Sequence, residues 1–303
     1  MSTPWRHLRA GDLVGVIAPA GPTPPGIVSQ VGPLLARFGL RARLYPCCHT
    51  SHPQHGFLAG DDVARLANLH AAYADDDVAA VLALRGGWGS ARLLDGIDAA
   101  LLRAHPKPLV GFSDITALHA LLVREGGVGL HAPVCSSLLR EGGDADAQAL
   151  FDLLMQPLRA GHCFAGGPQT GAWRVSGAAS GKLVGGNLSI VASLLGTPWA
   201  WPAEDTIVFL EEVSEAPYRV DRLMTQLRHA GVLAGARAFL LGSFSDEADP
   251  TSVLSEHLSA LGKPVLAGWP AGHAGPNRAL PLGARVRLDA TAATLTLEQD
   301  VFV

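Results

Sequence analysis

The chain has 303 residues and a mass of 31.5 kDa, which favours two domains at the usual size of roughly 100–200 residues each. Hydrophobic residues make up 48% and charged residues 17%, which excludes intrinsic disorder because disordered chains are polar and highly charged. Lys plus Arg number 23 against 27 for Asp plus Glu, a net charge of −4. This balance argues against a nucleic-acid partner, which requires a clustered basic excess.

The cysteines and the hydropathy pattern indicate the compartment. The four cysteines form no CxxC pair, so they predict neither a zinc site nor a redox motif, and they suit a reducing compartment. No apolar run approaches the roughly 20 residues that span a bilayer. Residues 13–20 resemble a signal peptide, but the run is short and Asp12 precedes it. We therefore interpret it as a buried strand and expect a cytoplasmic protein without a membrane partner.

The first half of the chain alternates apolar runs with segments of helical periodicity. Such alternation predicts βαβ units and a parallel sheet, here a flavodoxin-like or Rossmann-like domain. The predicted strands are residues 13–18, 40–45, 78–84 and 109–112, and the predicted helices are residues 27–38, 63–73 and 115–123.

Composition changes at residues 157–181, where glycine and proline crowd a stretch with little apolar periodicity. We predict a domain at residues 1–160, a linker at 161–180 and a second domain at 181–303. In the second part, the patterns predict helices at 188–195 and 217–229 and strands at 206–210, 238–241 and 265–267. Alternating apolar residues near 286–288 and 295–297 predict a closing antiparallel pair. The second domain is therefore expected to be mixed α/β.

Ser113 stands at a predicted strand-to-helix turn, in Gly111-Phe112-Ser113. A serine there is exposed at the carboxyl edge of the sheet, where open α/β folds bind ligands, and the helix N-terminus suits a developing oxyanion. The alternative is that Ser113 only caps the helix. Ile115 replaces the second glycine of G-x-S-x-G, which argues against an ordinary α/β-hydrolase.

A nucleophilic serine needs a base, and the base needs an orienting acid. His273 lies in a glycine-rich loop directly after a predicted strand, as site residues often do, although it could be a surface histidine. Glu211 and Glu212 end the apolar strand before residue 213. Either could reach a crevice, or both could lie in a solvated turn.

Two further loops carry polar or glycine-rich patterns. Arg85-Gly86-Gly87-Trp88-Gly89 follows a buried strand and lacks both nucleotide-binding fingerprints, so its backbone N–H groups better suit an oxyanion or a substrate carboxylate. His49, His52 and His55 could bind a metal ion at their regular spacing, but Pro53 and the loop composition favour a solvated loop.

Six ordered motifs resemble those of the LD-carboxypeptidases, the muramoyltetrapeptide carboxypeptidase family of serine peptidases. The resemblance extends from about residue 14 to 297, and its motifs are Arg85-Gly86-Gly87-Trp88-Gly89, Gly111-Phe112-Ser113-Asp114-Ile115-Thr116, Gly185-Gly186-Asn187-Leu188, Gly196-Thr197-Pro198-Trp199, Leu210-Glu211-Glu212 with Pro217-Tyr218-Arg219-Val220-Asp221-Arg222, and Gly272-His273.

The resemblance implies a site at the junction of two domains and a role for each matched residue. Ser113 corresponds to the nucleophile, His273 to the general base and Glu211 to the orienting acid, with Glu212 as the open alternative. The backbone N–H groups of Gly87 and Asp114 would hold the oxyanion. The implied substrate contacts, Trp88, Asn187 and Arg219, are less specific, since Trp88 could pack in the core and Arg219 could be a solvated helix residue.

The implied reaction releases terminal D-alanine from muropeptide tetrapeptides in peptidoglycan recycling, with no metal and no cofactor, by a cytoplasmic homodimer. Two other functions stay open. Some members resemble self-immunity amidases that cleave aminoacyl-nucleotide antibiotics, and a non-catalytic protein could bind cell-wall peptides in the same cleft.

Overall fold

The computed structural model describes residues 5–303. Its strands are β1 (Leu13–Ile17), β2 (Arg41–Leu44), β3 (Val78–Ala83), β4 (Leu109–Gly111), β5 (Gly129–His131), β6 (Cys163–Phe164), β7 (Arg174–Val175), β8 (Ala178–Asn187), β9 (Thr206–Val213), β10 (Ala238–Ser245), β11 (Val265–Leu266), β12 (Leu280–Leu282), β13 (Arg285–Asp289) and β14 (Thr294–Leu297).

The α-helices are α1 (Pro25–Val28), α2 (Val31–Ala36), α3 (Asp62–Ala74), α4 (Ala99–Ala104), α5 (Thr116–Arg124), α6 (Cys135–Leu138), α7 (Asp144–Leu154), α8 (Leu188–Leu194), α9 (Pro217–His229), α10 (Val232–Gly235) and α11 (Thr251–Ser259). Short 3₁₀ helices span Pro46–His49, Ser90–Gly96 and Ser113–Ile115. Among residues 5–303, no helix combines the length and the apolar character that a membrane crossing needs.

The first sheet has six strands in the order β12-β5-β4-β3-β1-β2. Strands β1 to β5 pair in parallel, and every residue of β1 is buried, as expected for a strand covered on both faces. The predicted parallel sheet is therefore confirmed. Its edge strand β12 comes from the far end of the chain and pairs antiparallel with β5.

The second sheet has eight strands in the order β6-β14-β13-β8-β9-β10-β11-β7. Its centre, from β8 to β11, is parallel, whereas its outer pairs are antiparallel. Val286 faces Leu297, and Leu288 faces Leu295. The mixed second sheet and its closing antiparallel pair are confirmed.

One predicted helix is divided in two. Residues 27–38 were predicted to form a single helix, but α1 ends at Val28 and α2 begins at Val31. A continuous helix would place Pro33 in its interior, where the missing N–H and the ring would break it. After the interruption, Pro33 lies in the first turn of α2, where a helical N–H has no partner within the helix.

The segment predicted as a linker also contains regular structure. It holds β6 and β7 and the beginning of β8. Strand β6 pairs with β14 at one edge of the second sheet, and β7 pairs with β11 at the other edge. Strands of two residues carry no periodicity in the sequence, so only their partners elsewhere in the chain define them.

Two of the hydrogen bonds between the first sheet with its helices and the second part of the chain lie near the predicted site. The backbone N–H of Asn187, at the end of β8, donates to Thr116 Oγ1 in the first turn of α5 at 3.0 Å. The backbone N–H of Asn277 donates to the buried carboxylate of Asp146 in α7 at 3.2 Å. Both contacts lie next to the motifs that carry the predicted site.

Candidate active site

Ser113 occupies the sharp turn that the sequence predicts. Strand β4 ends at Gly111, Phe112 is extended, and Ser113 has φ of 63°. This left-handed conformation is unfavourable for a residue with a Cβ, by roughly 1–2 kcal/mol, and strain of this kind is concentrated at functional sites. The N-cap positions of the 3₁₀ turn and of α5 are Phe112 and Ile115, and Ser113 Oγ is hydrogen-bonded to His273 instead, so the capping alternative does not hold.

The close approach of Gly86 accommodates this turn. A Cβ built on Gly86 would stand 2.9 Å from the Cβ of Ser113 and 3.1 Å from its Oγ. Any larger residue at position 86 would therefore push the serine out of its place. The glycine-rich loop and the serine turn form one packed unit at the carboxyl edge of the first sheet.

The structure brings Ser113, His273 and Glu211 together across the two sheets. Ser113 lies after β4, Glu211 lies in β9, and His273 lies in the loop after β11. His273 Nε2 is 3.1 Å from Ser113 Oγ, and His273 Nδ1 is 2.7 Å from Glu211 Oε2. In the neutral histidine, Nδ1–H donates to the carboxylate and Nε2 accepts from the serine hydroxyl, which is the geometry of a catalytic triad.

Glu212 faces the opposite side of β9, as alternation along a strand requires. Its carboxylate accepts from Asn187 Nδ2 at 2.8 Å, from the backbone N–H and hydroxyl of Ser189 at 2.8 and 2.6 Å, and from the backbone N–H of Val213 at 2.9 Å. Glu212 thus fixes the start of α8 and lies away from His273.

Burial and charge act in opposite directions on the Glu211–His273 pair. Complete burial raises the pKa of the Glu211 carboxyl, and the hydrogen bond from His273 opposes this shift. Burial by itself would lower the pKa of His273, but the hydrogen bond and negative charge of Glu211 outweigh it, so that this pKa lies above its usual value of 6.5. The imidazole is thus more basic than an unperturbed histidine, which favours proton transfer from a hydroxyl.

The two predicted oxyanion donors flank the serine. Gly87 follows the residue that packs on Ser113 and has φ of 101°. Asp114 is buried, and its carboxylate accepts the backbone N–H of Ser90 at 2.8 Å. The Ser90 hydroxyl donates to the Asp114 carbonyl at 2.5 Å. These bonds tie the serine turn to the 3₁₀ helix after the glycine-rich loop.

The three predicted substrate contacts differ in their surroundings. Trp88 is 43% exposed, so it does not pack in the core. Asn187 is buried, and its Oδ1 caps α8 while its Nδ2 binds Glu212, so it positions neighbouring groups. Arg219 lies on the exposed side of α9 and contacts Glu215 at 3.4 Å.

The structure does not bring His49, His52 and His55 together in one cluster. His49 ends the 3₁₀ helix Pro46–His49, and the rings of His52 and His55 stack at 4.8 Å. His52 Nδ1 accepts the backbone N–H groups of Gln54 and His55. Within residues 5–303, no three His, Cys, Asp or Glu side chains are placed to share an ion.

Sequence reasoning missed the residues that hold the histidine loop. Asn277 Oδ1 accepts the backbone N–H of Gly272 at 3.0 Å, and Ser243 Oγ accepts that of Ala274 at 3.2 Å. Gly272 has φ of 124°, and a Cβ there would stand 2.9 Å from Glu211 Oε2. The sequence offers one signal, since Asn277 closes the glycine-rich stretch Gly272-His273-Ala274-Gly275-Pro276-Asn277.

One sizeable cavity lies away from the predicted site residues. A cleft of about 920 Å³ opens between residues that follow α4 and α5 and residues near the starts of β8 and β9. Lys107, Trp201 and Arg285 line it, together with other residues, and none of the predicted site residues does. This cavity is therefore separate from the Ser113–His273 pair.

Comparison with known proteins identifies the family. The LD-carboxypeptidase N-terminal domain matches residues 14–132, and the LD-carboxypeptidase C-terminal domain matches residues 180–288. The protein is thus a hydrolase of the carboxypeptidase class, and the chain belongs to the LD-carboxypeptidase family. The resemblance inferred from its motifs is confirmed.

Individual relatives agree with this assignment. A probable murein peptide carboxypeptidase of Bacillus subtilis (strain 168) is 36% identical over 98% of this chain and 94% of its own. The crystal structure of muramoyltetrapeptide carboxypeptidase from Oxalobacter formigenes is 30% identical, with a TM-score of 0.82 over 96% of this chain and 99% of that chain. The microcin C7 self-immunity protein MccF, in complex with aspartyl sulfamoyl adenosine, has a TM-score of 0.89 over 99% of this chain and 100% of that chain. At 20% identity, it shares the fold.

Proposed function

We propose that this protein is a serine L,D-carboxypeptidase that releases the terminal D-alanine from muropeptide tetrapeptides. The observation that carries the proposal is the pair of short contacts on His273, 3.1 Å to Ser113 Oγ and 2.7 Å to Glu211 Oε2. The substrate class is supported by the similarity to the murein peptide carboxypeptidase of Bacillus subtilis and the muramoyltetrapeptide carboxypeptidase of Oxalobacter formigenes.

In the proposed reaction, Ser113 Oγ attacks the carbonyl carbon of the L-centre of the diamino acid, and His273 Nε2 takes the hydroxyl proton. Glu211 keeps the imidazole oriented and stabilises its positive charge. The backbone N–H groups of Gly87 and Asp114 hold the oxyanion of the tetrahedral intermediate, where the loss of one donor lowers the rate by roughly 100- to 1,000-fold.

Collapse of this intermediate breaks the amide bond. His273 protonates the departing nitrogen of D-alanine and leaves an acyl-enzyme on Ser113. A water molecule then attacks the acyl carbon while His273 takes its proton, and a second tetrahedral intermediate forms. Collapse of this intermediate releases the tripeptide, and His273 returns the proton to Ser113 Oγ. No step passes through a metal ion or a cofactor.

The compartment and the assembly are part of the same proposal. Cys47, Cys48, Cys135 and Cys163 are all free thiols, which suits a reducing cytoplasm. Together with the family resemblance, this supports a cytoplasmic protein that recycles peptidoglycan fragments. The resemblance also supports a homodimer, which light scattering coupled to size-exclusion chromatography tests directly.

The function is tested by mass spectrometry on a free muropeptide tetrapeptide that ends in D-alanine, with EDTA present. We expect the wild type to remove one alanine and the Ser113→Ala variant to leave the peptide intact. An unchanged tetrapeptide with the wild type would contradict the substrate, and aminoacyl-adenylate analogues would then test the amidase alternative. Tetrapeptide that binds but never turns over would support the binding-protein alternative. Cleavage by Ser113→Ala would contradict the nucleophile.

A further inference from the structure

A cationic side chain lies beside the loop that carries His273. Arg140 is exposed, in the turn between α6 and α7. Its Nη2 is 4.0 Å from the position that a Cβ of Gly275 would occupy, two residues after His273. Among residues 5–303, no other atom outside the neighbouring residues comes within 4 Å of that position. The space beside Gly275 is therefore open except for the guanidinium.

Like Arg222 and Arg278, Arg140 has a guanidinium without a partner among residues 5–303, and of these three it is the one that approaches Gly275. No carboxylate of residues 5–303 lies within 4.0 Å of its guanidinium, and its side chain makes no hydrogen bond to the described part of the chain. By contrast, Arg85 donates to the Pro22 carbonyl at 2.9 Å, and Arg219 pairs with Glu215. Arg140 thus keeps its donors available for a ligand.

The turn with Arg140 is fixed relative to the histidine loop. Asp146, in the first turn of α7, accepts the backbone N–H of Asn277, and Asn277 Oδ1 in turn accepts that of Gly272. These bonds connect the start of the helix after Arg140 to both ends of the loop. The backbone of this segment is therefore held beside the histidine loop.

The proposed reaction sets the direction in which the leaving residue lies. His273 protonates the departing nitrogen, so this nitrogen comes within about 3 Å of Nε2. The terminal carboxylate is attached only one carbon further on, and it therefore lies on the His273 side of Ser113. An arginine binds a carboxylate through two parallel hydrogen bonds with matching charge.

On the basis of the proposed function, we infer that Arg140 binds the terminal carboxylate of the residue that leaves. This contact makes the enzyme an exopeptidase, because a substrate whose chain continues, or whose terminus is an amide, lacks the charge that Arg140 recognises. Arg140 is in this sense a specificity-determining residue of the site.

Two substrates test the inference: the tetrapeptide with a free terminal carboxylate, and the same peptide with a terminal amide. For the wild type, we expect kcat/KM to be about 10- to 100-fold higher for the free acid, the usual range for a charged hydrogen bond. In Arg140→Gln, we expect kcat/KM for the acid to fall to about the value for the amide, while kcat/KM for the amide stays at the wild-type value. Arg140→Lys should retain part of it, because charge remains while the fork is lost.

Arg287→Gln is the matched control, an exposed arginine of β13 outside the site, and it should behave as the wild type. The inference is wrong if Arg140→Gln keeps the wild-type preference for the acid, or if its kcat/KM falls by the same factor on the acid and on the amide. In either case the proposed function stands. If the wild type cleaves neither peptide, the proposed function itself fails.

Discussion

The backbone N–H of Asn187 donates to Thr116 Oγ1 at 3.0 Å and thereby joins the two halves of the site. Thr116 begins α5, three residues after Ser113, and Asn187 ends β8, beside the strand that carries Glu211. The distance between the serine and the acid therefore depends on a buried hydrogen bond between two elements that are remote in sequence.

Replacement of this hydroxyl tests the dependence. Thr116→Val removes the acceptor at nearly constant shape and leaves a buried N–H unpaired, which destabilises by about 1–3 kcal/mol. We expect a fall in the free energy of unfolding of that size and a fall in kcat of about tenfold, because misplacement of reacting groups slows the reaction. Thr116→Ser retains the hydroxyl and should keep most of the wild-type free energy of unfolding and most of the wild-type kcat. Equal losses in the two variants would contradict a role for the hydroxyl.

The strain at Ser113 can be separated from its chemistry. Glycine adopts a φ of 63° without a steric penalty, whereas alanine does not. We therefore expect Ser113→Gly to exceed Ser113→Ala in free energy of unfolding by about 1–2 kcal/mol, although both lack the nucleophile. Urea denaturation followed by circular dichroism measures this difference. Equal stability of the two variants would mean that the turn relaxes when the hydroxyl is absent.

The adjacent glutamates should respond differently to the same substitution. Glu211→Gln keeps the shape but removes the charge that stabilises the imidazolium, and we expect kcat to fall by roughly 1,000-fold or more. Glu212→Gln places an amide N–H₂ among groups that donate to the native carboxylate, which should mainly lower stability, by about 1–3 kcal/mol. Steady-state kinetics and denaturation of both variants decide the matter. A larger kinetic loss for Glu212→Gln would reverse the assignment.

The raised pKa of His273 predicts the pH dependence. His273 accepts the serine proton only when it is neutral, so kcat/KM should fall on acidification, with a midpoint above 6.5, because Glu211 stabilises the protonated form. In Glu211→Gln that charge is absent, and burial should move the midpoint of the residual activity below 6.5. Profiles of kcat/KM against pH, which report groups of the free enzyme, measure both values. If the midpoint is the same in both proteins, Glu211 does not influence the ionisation of His273.

Local sequence patterns were sufficient for the elements with strong periodicity. Periodicity alone predicts the apolar runs of β1, β3 and β9 and the apolar stripe of α9. Burial on both faces gives a strand a continuous apolar run, whereas burial on one face gives a helix a regular apolar spacing. The turn at Ser113 was likewise predictable, since an apolar strand ran directly into a helical pattern. Pro33 also indicates a break between α1 and α2, but the helical periodicity of the surrounding residues led to the prediction of one continuous helix.

Tertiary structure decided what depends on partners far along the chain. β6, β7 and β12 are two or three residues long, and only pairing with remote strands defines them. From the residues alone, Glu211 and Glu212 were equivalent, because the side of a strand that faces the site is set by register and packing. Ser113 and His273 are 160 residues apart in sequence. The sequence by itself determined which residue types were available for the site, whereas the docking of the two sheets determined which of them meet.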